Sequence, residues 1–251
     1  MHPQVLPSLT RQGLEVWIEQ GAGKAAGLSD EAFAQAGARI EPDPAKLWRT
    51  CTVILKVAAP AQRSDGVDEA TWLRPDQVCI GLFDPLGNPT RVKHLAESGA
   101  ALFAMELIPR VSRAQGMDAN SSQANLAGYR AVILAAHHLH KVIPMMMTAG
   151  GTVQPARFLV VGAGVAGLQA IATAKRLGAR VHAYDVRAAV KEQVESLGAK
   201  FVGIDLKQTF EGTGGYAKAV TTDALATQQQ GLARVASGMD AVITTAQVPG
   251  G

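Results

Sequence analysis

The stretch of sequence that decides the fold is Phe158-Leu-Val-Val-Gly-Ala-Gly-Val-Ala-Gly-Leu-Gln-Ala-Ile171. Its apolar start predicts a buried strand, which runs directly into a Gly-x-Gly-x-x-Gly turn at Gly162, Gly164 and Gly167 that opens an apolar helix. A second predicted strand ends in Asp185, 18 residues after the last of these glycines. The glycine pattern alone would be weak evidence, but strand, turn, helix and acid together form the context that a dinucleotide-binding fingerprint requires.

Each part of this motif has a physical role in holding a dinucleotide. Gly162 allows the tight turn, Gly164 lets a pyrophosphate approach the backbone, and Gly167 lets helix and strand pack closely. Free N–H groups at the helix N-terminus attract the phosphates. Asp185 is placed to accept hydrogen bonds from adenosine ribose hydroxyls and would repel a 2′-phosphate, which favours NAD(H) over NADP(H), whereas Arg187 weakens that exclusion. The motif thus predicts these cofactor-binding residues: Gly162, Gly164, Val165, Ala166, Gly167, Asp185, Val186 and Arg187.

Strands and helices alternate on both sides of the motif. The apolar runs predict strands at residues 15–18, 52–57, 77–83, 101–105, 157–161, 180–185, 200–203 and 239–244. A long helix is predicted over about residues 121–141, and a glycine-rich insertion interrupts the pattern at 211–215. This alternation predicts an α/β fold of two Rossmann-like parallel-sheet domains joined by a long helix. We place the N-terminal domain at 1–120, the connecting helix at 121–143 and the nucleotide-binding domain at 144–251.

The composition excludes several other classes of protein. The 251 residues carry 24 basic and 21 acidic side chains, a net charge of +3, which is too balanced for a nucleic-acid-binding surface. Cys51 and Cys79 are far apart in the sequence, so neither a disulfide framework nor a thiolate zinc site is predicted, and a reducing setting fits best. No apolar run approaches the ~20 residues of a membrane helix. Because the charges are balanced, nucleic acid is not expected as a partner.

Three histidines near the end of the long helix allow two interpretations. His137 and His140 share a helix face with His138 between them, which is compatible with metal binding. Cations near a helix C-terminus are also stabilised by the helix dipole, and neither a carboxylate nor a cysteine accompanies these residues. We therefore expect no metal site.

A longer motif goes further than the fingerprint. The stretch Pro109-Arg-Val-Ser-Arg-Ala-Gln-Gly-Met-Asp-Ala-Asn-Ser-Ser-Gln-Ala-Asn-Leu-Ala-Gly-Tyr-Arg130 resembles the first part of the alpha subunit of the proton-translocating NAD(P) transhydrogenases, their NAD(H)-binding component. So do the glycine loop and four shorter motifs: Tyr184-Asp-Val-Arg187, Val190-Lys-Glu-Gln193, Gly214-Gly-Tyr-Ala-Lys218 and Thr244-Thr-Ala-Gln-Val-Pro-Gly250. The resemblance covers essentially the whole chain. The alanine dehydrogenases are relatives of this family and share its two-domain plan.

The resemblance implies further site residues. Arg110, Gln115 and Asp118 match catalytic positions around the nicotinamide end of NAD(H), where the glutamine contacts the ring and its ribose and aligns the hydride. Ser121 matches a cofactor-binding position beside them, although Asp118 and Ser121 have an alternative role as caps of the long helix. Three more positions match cofactor-binding residues, the first of them on a mobile loop with hinge glycines: Tyr216, Thr245 and Ala246.

The implied chemistry is direct hydride transfer between two nucleotides, for which catalysis is mostly positioning. NAD(H) would be held by this chain and NADP(H) by a partner beta subunit, with redox coupled to proton translocation in a membrane-spanning subunit. The resemblance further implies a homodimer in the cytoplasm, associated peripherally with the inner (cell) membrane through its partners. Family members begin before the position of Met1 and continue past Gly251, so the chain is expected to be truncated at both ends.

Two alternatives stay open. An alanine dehydrogenase-like oxidoreductase needs a cationic clamp for a substrate carboxylate and a catalytic histidine. Lys56 could match its lysine, but the segment at residues 80–87, where the histidine would stand, has none. The second alternative is a truncated NAD-binding module without activity of its own.

Overall fold

Both halves of the chain contain parallel sheets, with helices between the strands. The computed structural model of the protein describes residues 1–204 and 222–246. The chain divides into two compact units, residues 1–108 (unit 1) and residues 109–251 (unit 2). The predicted α/β class with Rossmann-like parallel sheets is confirmed, whereas the predicted domain bounds at 120 and 143 stay a prediction.

Unit 1 contains two small parallel sheets. Its elements are α1 (Leu6–Thr10), β1 (Trp17–Glu19), α2 (Asp30–Gln35), β2 (Arg39–Glu41), α3 (Pro44–Thr50), β3 (Val53–Ala58), β4 (Val78–Leu82), α4 (Pro89–Ala96) and β5 (Ala101–Ala104). Strands β1 and β2 form one sheet, and β3, β4 and β5 form the other in that order. Helix α2 begins where the hydroxyl of Ser29 accepts the N–H of Ala32, the usual role of an N-cap serine. The core lies against the second sheet and contains Trp48, Ile54, Cys79, Phe83 and Leu95.

Unit 2 contains a long helix, a hairpin and the sheet that carries the glycine motif. Its elements are α5 (Ala119–His138), β6 (Met146–Thr148), β7 (Gly151–Val153), β8 (Arg157–Val161), α6 (Val165–Arg176), β9 (Arg180–Tyr184), α7 (Lys191–Ser196), β10 (Lys200–Phe201), α8 (Thr222–Ala236) and β11 (Ala241–Thr244). The described strands of the main sheet are all parallel, in the order β10, β9, β8, β11. This order places β8 centrally and brings the carboxyl ends of β8, β9 and β11 to one edge, where open α/β sheets bind ligands.

The core of unit 2 holds the glycine motif rigidly. The central residues of β8, Phe158 to Val160, are buried, and α6 packs on the strand through small side chains such as Ala170 and Ala174. Helix α5 packs against α6, with Val132 fully buried in the same core. The predicted helix at 121–141 therefore exists with shifted ends, because Asp118 caps it earlier and its last helical residue is His138.

One element of unit 2 is not predicted by the sequence pattern. Strands β6 and β7 form a short antiparallel hairpin that closes through Gly151, which has φ +123°. All of their residues are exposed, including Met147 at 81%. Neither strand alternates between buried and exposed positions, and this explains why periodicity does not reveal them.

Candidate dinucleotide site

The glycine loop joins β8 to α6 and is fixed by contacts of backbone on backbone. Gly162 has φ +97°, which favours glycine, and its N–H donates to the carbonyl of Tyr184 at 2.7 Å. A Cβ atom on Gly162 would lie 2.7 Å from the nitrogen of Ala246, and one on Gly167 would lie 1.8 Å from the carbonyl oxygen of Gly162. No side chain larger than hydrogen fits at these two positions without moving the backbone.

Gly164 differs from its neighbours because it is not crowded. A Cβ atom there would meet none of the described residues within 4 Å. Gly164 is also the N-cap of α6, and within the described part of the chain no side chain caps that helix end. Val165, 41% exposed, and the half-buried Ala166 form its first turn. Unsatisfied N–H groups and the positive end of the helix dipole therefore meet at a glycine that a phosphate can approach.

Asp185 lies directly after β9 and joins two parts of the site. Its Oδ2 atom accepts the backbone N–H of Ala163, inside the glycine loop, at 2.7 Å. Its Oδ1 atom accepts the N–H and the Nε–H of Arg187, both at 2.9 Å, and Oδ2 also accepts Nη2–H of Arg187 at 2.9 Å. The Asp185 side chain is only 6% exposed and that of Arg187 is 16% exposed. The half-buried Val186 lies between them in the chain.

These contacts keep the Asp185 carboxylate ionised. Burial raises its pKa, but the hydrogen bonds from Arg187 and from the N–H of Ala163 outweigh burial, so the pKa lies below its ordinary value. The same pair raises the pKa of Arg187, despite burial of its guanidinium. A negatively charged acceptor therefore stands at the end of the second Rossmann strand, held to the glycine loop.

The residues after β11 complete this edge of the sheet. Thr245 donates its hydroxyl to the carbonyl of Gly162 at 2.9 Å, and its N–H donates to the carbonyl of Val161 at 2.8 Å. The next residue, Ala246, is the one that crowds Gly162. Both predicted positions thus lie against the glycine loop, and Thr245 fixes its first turn. Tyr216 and the hinge glycines at 212, 214 and 215 lie outside the described residues.

The other predicted residues gather at the start of α5. Asp118 is the N-cap: its Oδ1 accepts the N–H of Ser121 at 2.8 Å, and the Ser121 hydroxyl donates to Oδ2 at 2.7 Å. The capping alternative is therefore confirmed for Asp118, and Ser121 supports this cap as its hydrogen-bond donor. Ser121 lowers the pKa of Asp118, and the positive charge of Arg110 lowers it further. Gln115 is exposed, in a 3₁₀ helix over Ser112–Met117 that leads into the cap.

A residue that the sequence motifs do not single out links these two clusters. Gly128 lies in the middle of α5, and a Cβ atom on it would stand 2.1 Å from the carbonyl oxygen of Ala166, in the first turn of α6. The backbone of α5 therefore packs directly on the first turn of α6, which follows the glycine loop. A glycine inside a helical pattern is the signal that could have revealed this contact, since it weakens a helix unless close packing requires it.

Lys56, the residue of the alanine dehydrogenase alternative, belongs to an ion-pair network in unit 1. Its Nζ donates to Glu69, whose side chain is 5% exposed and also accepts the N–H of Ala61 at 3.0 Å and Nη1–H of Arg63 at 3.2 Å. Burial raises the pKa of Glu69, but Lys56 and these other donors lower it below its ordinary value. Lys56 thus neutralises a buried carboxylate of the fold.

Metal-binding and membrane-spanning features are absent from the part of the chain that the structure describes. There, no group of three or more His, Cys, Asp or Glu side chains is arranged to hold a metal ion. His137 and His138 contact each other edge to face at the end of α5. No helix in the described ranges is long and apolar enough to span a membrane.

Two family models match almost the entire chain. The alanine dehydrogenase/PNT N-terminal domain matches residues 1–127, and the alanine dehydrogenase/PNT C-terminal domain matches residues 131–251. The chain belongs to this family. The resemblance drawn from the sequence motifs is thereby confirmed.

Individual relatives agree with the family assignment. The chain is 46% identical over 248 residues to the first of the parts that make up the NAD(P) transhydrogenase subunit alpha of Rickettsia prowazekii, covering 99% of this chain and 64% of that protein. It is 48% identical over 250 residues to the protein of the same name from Rhodospirillum rubrum, covering 99% and 65%. A transhydrogenase structure from Sinorhizobium meliloti matches with a TM-score of 0.82 and 44% identity, covering 99% and 65%. The chain therefore spans about 65% of the length of these relatives.

Proposed function

We propose that this chain is the NAD(H)-binding component of an NAD(P) transhydrogenase. The observation that carries the proposal is the coupling of Asp185 to the glycine loop through the N–H of Ala163, beside the uncrowded flank of Gly164. This arrangement offers donors for a pyrophosphate and a carboxylate for the adenosine ribose. Relatives at 46% and 48% identity carry the transhydrogenase name, which supports the reaction class.

The residues at the start of α5 are proposed to hold the reacting end of the nucleotide. When bound, NAD(H) supplies the hydride-carrying ring. The positive charge of Arg110 acts on the Asp118 carboxylate, and Gln115, exposed three residues before Asp118 in the chain, carries an amide that can donate and accept hydrogen bonds. Ser121 is proposed to bind the cofactor while it also holds Asp118 through its hydroxyl. Hydride transfer between two nucleotides requires no side chain to move a proton, so these residues act by orientation.

The wider assembly belongs to the same proposal. NADP(H) would be bound by a beta subunit, and a membrane-spanning subunit would couple the reaction to proton translocation. The chain would act as a homodimer on the cytoplasmic side of the inner membrane, attached through these partners. Tyr216 is proposed to close over the bound nucleotide. The subunit names of the relatives support the presence of partners.

The alanine dehydrogenase alternative is less well supported by the side chains. Lys56 would have to leave the buried Glu69 carboxylate to bind a substrate, and Glu69 would then keep Arg63 as its cationic partner but lose its contact with Lys56. The segment at 80–87 contains no histidine. The proposal is therefore transhydrogenation.

The test is a hydride exchange assay with the purified chain and an NADP(H)-binding partner subunit from a related transhydrogenase. Oxidation of NADH that depends on both NADP⁺ and the partner would support the proposal. NADH binding without any exchange would instead identify an inactive binding module. Oxidation of NADH by pyruvate and ammonia without a partner would favour the alanine dehydrogenase reaction.

A further inference from the structure

The Asp185 carboxylate has no acceptor capacity left for a ribose. A carboxylate offers roughly four lone-pair positions. In this structure Oδ1 accepts two hydrogen bonds from Arg187, while Oδ2 accepts one from Arg187 and one from the N–H of Ala163. Two of the four donors belong to the guanidinium group, so the arginine side chain occupies the part of Asp185 that a ribose would need.

This occupancy has a consequence for NAD(H) that rests on the proposed function. Ribose hydroxyls can donate to Asp185 only where Nε–H and Nη2–H of Arg187 now donate. The guanidinium must therefore move when the ribose arrives. The backbone bonds from Ala163 and Arg187 can stay, so the carboxylate keeps its position while its side-chain partner is exchanged.

The same pair has a second consequence for a 2′-phosphate. The Nε and Nη2 edge of an arginine presents two parallel donors that match a phosphate as well as a carboxylate. Here that edge is engaged by Asp185, with both side chains largely buried. A phosphate could take the arginine only by leaving the Asp185 charge without its partner.

We propose that Arg187 is a specificity-determining residue whose guanidinium is withheld from a 2′-phosphate by Asp185 and becomes a 2′-phosphate ligand when that carboxylate is removed. Discrimination against NADPH then has two components. Asp185 repels the phosphate, and it also sequesters the one side chain of the pair that would bind it. If Asp185 acted only by repelling the 2′-phosphate, Arg187 would not contribute to NADPH affinity in the wild type or in a variant that lacks Asp185.

The experiment compares calorimetric titrations of NADH and NADPH across four proteins: wild type, Asp185→Ser, Asp185→Ser/Arg187→Gln and Asp185→Ser/Arg180→Gln. Arg180 is the matched control, because it is exposed at the opposite end of β9. We expect Asp185→Ser to gain about tenfold or more in NADPH affinity, the effect of one charge-assisted pair. The gain should vanish with Arg187→Gln and persist with Arg180→Gln. Equal NADPH affinity in all three variants would overturn the inference.

The single variant Arg187→Gln keeps the test decisive should the Asp185 variants not fold. It frees the carboxylate for ribose hydroxyls and leaves its charge uncompensated against a phosphate. NADH affinity should rise while NADPH affinity does not. A rise in NADPH affinity, or an unchanged ratio of the two affinities, would contradict the inference while leaving NAD(H) binding intact. Wild type that binds no NADH would overturn the proposed function itself.

Discussion

Replacing Gly128 by alanine tests whether backbone contact holds α5 against the first turn of α6. The added Cβ atom would lie 2.1 Å from the carbonyl oxygen of Ala166 and 2.9 Å from its carbonyl carbon. Raising the first distance to 3.0 Å, below which real Cβ contacts are essentially never found, requires the two helices to separate by about 0.9 Å. The obstacle is backbone, so rotation of a side chain cannot relieve it.

Two opposing effects decide the sign of the stability change. In an unobstructed helix, glycine to alanine stabilises by roughly 0.5–1 kcal/mol. Overpacking a core typically costs about 1–3 kcal/mol, and a fixed carbonyl places this contact in the upper part of that range. We therefore expect Gly128→Ala to reduce the free energy of unfolding of unit 2 by about 1–2 kcal/mol. NADH affinity should fall too, because Ala166 belongs to the turn that we propose to bind the pyrophosphate.

The assay can be confined to unit 2. Hydrogen exchange of peptides from α5 and α6, measured along a urea titration, should show that these helices open at lower urea concentration in Gly128→Ala than in wild type. Fluorescence of Trp17, Trp48 and Trp72 reports unit 1, where all three tryptophans lie, and should not change. Gly203→Ala is the control, since a Cβ atom there meets none of the described residues within 4 Å. A Gly128→Ala protein as stable as wild type, or more stable, would refute the close contact.

Three further predictions concern other regions of unit 2. Gln115→Asn shortens the side chain by one methylene and should slow hydride exchange, measured by stopped flow, by about 100-fold, while NADH affinity, measured by titration, stays nearly unchanged. Equal losses in exchange rate and in NADH affinity would contradict an aligning role. Thr245→Val removes the hydrogen bond to Gly162 and should lower stability in urea by about 1 kcal/mol and weaken NADH binding, whereas unchanged values would make the bond dispensable. The pKa of Asp240 is held below its ordinary value by the N–H of Arg157 and by Lys141, so its contribution is present at neutral pH and lost as pH falls below about 4. Asp240→Asn should therefore destabilise the protein in urea at pH 7 and progressively less as the pH is lowered below about 4, and a loss that does not change with pH would refute this linkage.

Much of the fold follows from patterns that the sequence carries locally. Strand β8 has the ends that the sequence predicts, because a run of apolar residues between Pro155 and Gly162 allows few other interpretations. Spacing alone assigns the glycines of the motif separate structural roles. Positive φ at Gly162 and the close approach at Gly167 agree with those roles. The parallel order of strands follows from the alternation of strand and helix.

The details of the candidate site depend on contacts between distant segments. The bond from Ala163 to Asp185 joins residues 22 apart in sequence, and the contact of Gly128 with Ala166 joins two helices. Neither is encoded in the periodicity of one element. Pairing of Arg187 with Asp185 is local, but its bidentate geometry depends on how the chain leaves β9. The hairpin of β6 and β7 escapes prediction because it buries no face.

The most direct test of the central claim is a calorimetric titration of the purified wild-type chain with NADH and, separately, with NADPH. The proposed site predicts saturable binding of NADH and clearly weaker binding of NADPH, because Asp185 accepts ribose hydroxyls and excludes a 2′-phosphate. Binding of neither nucleotide by folded protein, or NADPH binding as strong as that of NADH, would contradict the account.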